Sequence, residues 1–114
     1  MCREHGLFTV ICADTPERAA EYASYQPDFI AVEPPELIGG DISVTDADPR
    51  VVEDTVKCVK KVSRSTSVLC GAGVKTGKDV LKALELGADG VLLASGVVRS
   101  KDPKASLTDL VRYL

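Results

Sequence analysis

Apolar residues fall into four short, nearly continuous runs along the chain, at 7–12, Phe29–Val32, Ser67–Cys70 and 90–94. A strand with one wet face alternates apolar and polar positions. Runs without alternation belong to strands covered on both faces, as in a parallel sheet. The stretches between the runs carry a helical period instead. Val52, Val56, Val59 and Val62 recur at steps of three and four and predict one apolar helix face. Val80, Leu81, Ala83 and Leu84 predict a second, and Leu107, Leu110, Val111 and Leu114 a last one.

The helix starts are marked by capping chemistry. Thr15-Pro16, Asp48-Pro49 and Asp102-Pro103 each put a side-chain acceptor before a proline at the first helical position. Thr76 with Asp79 has the spacing of a capping box, and Gly87 is placed to end the helix begun there. The pattern reads β-α four times over, with no linker or low-complexity stretch, so residues 1–114 form one unit. Such alternation predicts an α/β fold with parallel strands and helical crossovers. An open doubly wound sheet and part of a closed (β/α)8 barrel both fit. A whole barrel takes about 250 residues, so four βα units suggest a half-barrel.

Composition narrows the function classes. A chain that is 45% hydrophobic and 27% charged has the balance of a globular domain. Net charge −3 with 4% aromatics leaves neither the basic stripe nor the stacking rings of a nucleic-acid surface. No apolar run nears the roughly 20 residues that span a bilayer, and the residues after Met1 have no apolar core of a secretory signal. Cysteines at 2, 12, 58 and 70 make no Cys-x-x-Cys pair, and the sole histidine is His5, which argues against a metal site. Cys12 and Cys70 lie within apolar runs and read as small hydrophobes, pointing to a reducing, cytoplasmic setting.

Candidate chemistry sits at the strand ends, where α/β sheets keep their sites. Gly71-Ala72-Gly73 and Ala94-Ser95-Gly96 are small-residue turns leading into helix starts. Such turns present backbone N–H groups to an anion, with no Cβ in the way at glycine. Glu33 ends an apolar strand, where partial desolvation would suit a general base; alone it reads equally well as a structural partner for Lys75. The next seven residues favour chemistry. Pro34 and Pro35 form a stiff stem, Leu37 and Ile38 a short apolar tip after Glu36, and Gly39 and Gly40 a permissive stem. That is the construction of a lid that excludes water from the carboxylate.

Ala31-Val-Glu-Pro-Pro-Glu-Leu-Ile-Gly, together with Cys70-Gly-Ala-Gly-Val and Gly90-Val-Leu-Leu-Ala-Ser-Gly, resembles triosephosphate isomerase in its archaeal form, over essentially the whole chain. The resemblance implies strands five to eight of that family's barrel. Glu33 then matches the catalytic base and Pro34 to Asp41 the mobile lid. The backbone N–H groups of Gly39, Gly73, Ala94 and Ser95 match the substrate-phosphate contacts. The implied reaction interconverts dihydroxyacetone phosphate and glyceraldehyde 3-phosphate, a step of glycolysis and gluconeogenesis, with no metal or organic cofactor.

The resemblance has departures. Glu36 stands where many members carry tryptophan, and Gly40 where threonine is commoner. The family's asparagine, lysine and histidine of strands one and four have no counterpart, since His5 precedes the first strand. The chain is therefore expected to be inactive alone. It would need an N-terminal half-barrel, or associate with a second copy as a homo-oligomer. The alternatives are a half-barrel that binds phosphate without turnover, or another phosphate-binding (β/α)8 enzyme.

Overall fold

In the computed structural model, which describes residues 1–34, 42 and 47–114, a 3-10 turn at Arg3–His5 leads into alternating strands and helices. These are β1 (Val10–Ala13), α1 (Pro16–Ala23), β2 (Phe29–Val32), α2 (Pro49–Val62), β3 (Ser67–Cys70), α3 (Gly77–Glu85), β4 (Gly90–Val91), the short α4 (Ser95–Val98) and α5 (Pro103–Leu110). The caps form as the sequence predicts. Thr15 accepts from Arg18 N at 3.2 Å and Asp102 from Ala105 N at 3.1 Å. Thr76 and Asp79 make a reciprocal capping box, at 3.2 and 3.0 Å.

The sheet has the order β1-β2-β3-β4, and every pair is parallel. A doubly wound sheet reverses its order at a switch point. An unbroken order keeps every right-handed crossover on one face, which is how half of a (β/α)8 barrel is made. Ala13, Ile30 and Val68 face the helices and pack with Ala19, Ala23 and Val59. Cys70 and Ala72 pack with Val52, Val80, Ala83 and Leu110. By the two-residue period of a strand, Cys12, Ala31 and Leu69 point to the other face, the barrel interior. On the outermost strand that face is bare, with Val10 and Cys12 exposed.

Polar groups tie the amino-terminal ends of the strands together. Asp28 accepts from Thr9 N at 2.8 Å, and Asp89 from Val68 N at 2.9 Å. Both aspartates stand just before a strand and clamp the start of its neighbour. The fully buried Thr66 hydroxyl donates to Pro27 O at 2.8 Å and pairs with Ser63 Oγ at 2.8 Å.

Several expectations are corrected. β1 begins at Val10 rather than Leu7: Leu7 N bonds to Cys2 O, and Phe8 is 82% exposed. Paired β4 ends at Val91, although Leu92 N still reaches Cys70 O at 2.9 Å. Val62 is exposed, and the buried face of α2 is carried by Val52, Thr55 and Val59. Thr55 can be buried because its hydroxyl donates to Val51 O at 2.6 Å. Cys12 is exposed rather than buried among apolar neighbours. Of the last stripe only Leu110 is buried; Leu107, Val111 and Leu114 border an apolar groove of about 540 Å³ beside β4.

Candidate active site

The backbone ladder carries each strand end to the same level. Glu33 N donates to Ala13 O at 2.8 Å, Gly71 N to Val32 O at 3.0 Å and Leu92 N to Cys70 O at 2.9 Å. Residues from β2, β3 and β4 therefore meet at the carboxyl edge. A cleft of about 410 Å³ opens there, lined by Glu33, Gly71, Gly73, Val74, Leu92 and Leu93 and closed by Ala94 and Ser95. Four residues singled out in the sequence, Glu33, Gly73, Ala94 and Ser95, share this one cleft. Pro34, the residue after Glu33, is buried. Pro35, Glu36, Leu37, Ile38, Gly39 and Gly40 lie outside the described residues, so the expected lid and its Gly39 contact have no structural account.

Glu33 is half-buried, and its side chain crosses the Cα of Gly71: a Cβ there would lie 2.5 Å from Glu33 Cγ. Gly73 adopts φ +69°, the left-handed conformation that glycine enters without strain. The second turn packs against the first. A Cβ on Gly96 would lie 2.9 Å from Val74 O and 3.2 Å from Lys75 Cα.

Sequence reasoning missed two neighbours of Glu33. Gly71 is legible as a turn residue but not as the floor beneath the carboxylate. Cys12 reads as core, whereas it stands with Glu33 at the lining of one hollow. Partial burial raises the thiol pKa first, and the neighbouring Glu33 carboxylate adds to it. The missed signal is register: Cys12 pairs with Ala31, which sets Glu33 one pleat further on and on the same face. Glu33 also borders a polar hollow of about 250 Å³ beside β1, where Arg18 lies 3.6 Å from Asp14. Cys70, by contrast, is buried behind the cleft, and desolvation pushes its thiol up to about 12.

A family model described as triosephosphate isomerase matches residues 1–114. The chain belongs to the triosephosphate isomerase family. It is 55% identical over 112 residues to the triosephosphate isomerase of Archaeoglobus fulgidus, covering 98% of this chain and 50% of that protein. With the Methanobrevibacter smithii enzyme it shares 49% over 114 residues, 100% of this chain and 51% of the relative. For Methanocaldococcus jannaschii the identity is 48% over 113 residues, 99% and 52%. The chain thus spans about half the length of the curated relatives it matches.

Solved structures agree on the fold. A flavocytochrome b2 mutant with pyruvate bound superposes with a TM-score of 0.61 at 26% identity, over 81% of this chain and 24% of that one. A mandelate oxidase with 2-hydroxy-phenylacetamide gives 0.61 at 27%, over 83% and 28%. These are (β/α)8-barrel enzymes, so the four strands of this triosephosphate isomerase family member are a barrel half.

Proposed function

We propose that the chain supplies the base, the lid and the phosphate cradle of a triosephosphate isomerase. The observation that carries this reading is the convergence of Glu33 with Gly73, Ala94 and Ser95 in one cleft. The backbone N–H groups of the two turns hold the phosphate of a triose. Glu33 then takes a proton from the carbon beside the carbonyl. An enediolate forms, the same carboxyl returns the proton to the former carbonyl carbon, and the hydroxyl proton passes from one oxygen to the other. Nothing is oxidised or reduced overall, and one carboxylate serves both directions. Closure of the lid from Pro34 onward would keep water from the enediolate.

The electrophile that stabilises the enediolate comes from outside this chain. The sole histidine, His5, lies exposed in a 3-10 turn at the amino-terminal side of β1, whereas the cleft is at the carboxyl ends of the strands. The partner that completes the site is an N-terminal half-barrel, with a second copy of this chain as the other way to cover the open sheet face. In the absence of the N-terminal half the chain binds phosphate but does not turn over.

The test is Glu33→Gln in the assembled enzyme. It keeps the shape of the side chain, removes the base and lowers turnover by about 10²–10⁴-fold. Unchanged turnover would reject Glu33 as the base. Titrating the isolated chain with inorganic phosphate, monitored by amide NMR, should move Gly73, Ala94 and Ser95; no response there would reject the cradle.

A further inference from the structure

We infer that Asp79 is a positioning residue of the phosphate cradle, acting through the backbone of residues 74–76. The inference rests on the reading of Gly73, Ala94 and Ser95 as that cradle. One carboxylate oxygen, Asp79 Oδ2, accepts from Lys75 N and from Thr76 N, each at 3.0 Å. The Thr76 hydroxyl accepts Asp79 N in return at 3.2 Å. A capping box needs only the bond to the N-cap N–H. The additional bond to Lys75 N reaches back out of the helix into the turn that carries Gly73.

The same backbone is the surface on which the other half of the cradle rests. Gly96 packs against Val74 O and Lys75 Cα so closely that a Cβ would lie 2.9 and 3.2 Å away. Residues 74 and 75 are thus held by Asp79 on one side and support the start of α4 on the other. Moving them by a few tenths of an ångström moves Gly73 directly, and Ser95 through Gly96. Asp79 itself does not line the cleft. Its negative charge opposes an anion, so its benefit must come from geometry.

Two substitutions separate geometry from charge. Asp79→Asn keeps a side-chain oxygen for the two N–H groups and removes the charge. Asp79→Ala removes both. Inorganic phosphate is titrated into the 114-residue chain, with binding read from the Gly73, Ala94 and Ser95 amides and folding read separately by thermal unfolding. Asp79→Ala is expected to bind about tenfold more weakly at a temperature where it is fully folded, while Asp79→Asn binds at least as tightly as the parent. Equal affinity of the parent and Asp79→Ala overturns the inference, as does an Asp79→Asn variant as weak as Asp79→Ala. If Asp79→Ala does not fold, Asp79→Ser replaces it, since its shorter side chain cannot span both N–H groups. A parent chain that binds no phosphate at these amides refutes the cradle itself, an outcome distinct from those.

Discussion

The Glu33 side chain lies across the backbone of Gly71, with Cγ 2.5 Å and Oε1 3.0 Å from where a Cβ on Gly71 would stand. Real Cβ atoms do not tolerate such approaches, so the absence of a side chain at 71 decides where the carboxylate rests. Gly71→Ala forces Glu33 to rotate away. Because Glu33 is only half-buried it can swing toward solvent, and stability should change little. A displacement on the order of 1 Å can cost about 10²-fold in rate, so turnover of the assembled enzyme should fall by about 10- to 100-fold. A double-mutant cycle is the check: Gly71→Ala should cost almost nothing once Glu33 is already glutamine.

Gly77→Ala has a different sign from the usual glycine replacement in a helix. Elsewhere the change stabilises by about 0.4–1 kcal/mol through the unfolded chain. Here the new Cβ would fall 2.2 Å from Asp109 O, a backbone atom that cannot rotate aside. It would also strain the bond from Gly77 N to Asp109 Oδ2, now 2.9 Å. Steric strain should win, with a net loss of about 1–3 kcal/mol in urea unfolding. A stabilised variant would contradict the docking of α5 on α3.

Cys70 makes stability depend on alkaline pH. Burial pushes its thiol up to about 12 from the usual 9.0, with Asp79 adding to the shift and the Ala72 backbone hydrogen bond opposing it. Between those values the unfolded chain has lost a proton that the folded chain keeps. The contribution is therefore fully present below pH 9 and is lost as pH rises toward 12, at about 1.4 kcal/mol per unit. Unfolding titrations of the parent and of Cys70→Ala should converge as pH rises through this window. Parallel curves would exclude the buried thiol as the cause.

Much of this was legible in the strand patterning, and the failures have physical causes. Phe29–Val32 and Ser67–Cys70 are legible to the residue because both are central strands, paired on both sides and unambiguous in their runs. The outer strands are shorter than their apolar runs, since such a run overstates a strand that pairs on one side only. Leu7 and Phe8 are apolar yet leave the sheet, and Leu92 and Leu93 continue past the last pair. That Glu33, Gly73, Ala94 and Ser95 lie near one another is legible, because strand ends and small-residue turns leave a mark in sequence. The proximity of Cys12 and Gly71 to the carboxylate is not legible, because contact across neighbouring strands depends on register.

The outer strands also dictate behaviour in solution. Among the described residues β1 and β4 each have a strand neighbour on one side only, and Val10 and Cys12 are exposed on the uncovered face. At about 25 cal/mol per Å², a few hundred Å² of uncovered apolar surface forgoes several kcal/mol. Unprotected strand edges recruit partners. The isolated chain should therefore self-associate, with β1 of one copy beside β4 of another, and show no isomerase activity. Sedimentation across a concentration series and a coupled assay check both. A monomer at all concentrations rejects the first expectation, and turnover rejects the second.

The aspartate clamps Asp28 and Asp89 and the buried Thr66 hydroxyl lie at one end of the sheet, while Glu33, Gly73 and Ser95 lie at the other. Four residues at about 3.3 Å per residue put roughly 13 Å between those ends. Sites separated by more than about 7–10 Å contribute nearly independently to stability. Heritable change can thus accumulate at the two ends separately: the amino-terminal rim is free to adapt to the temperature of its host, and the carboxyl rim to its chemistry, without either having to wait for the other.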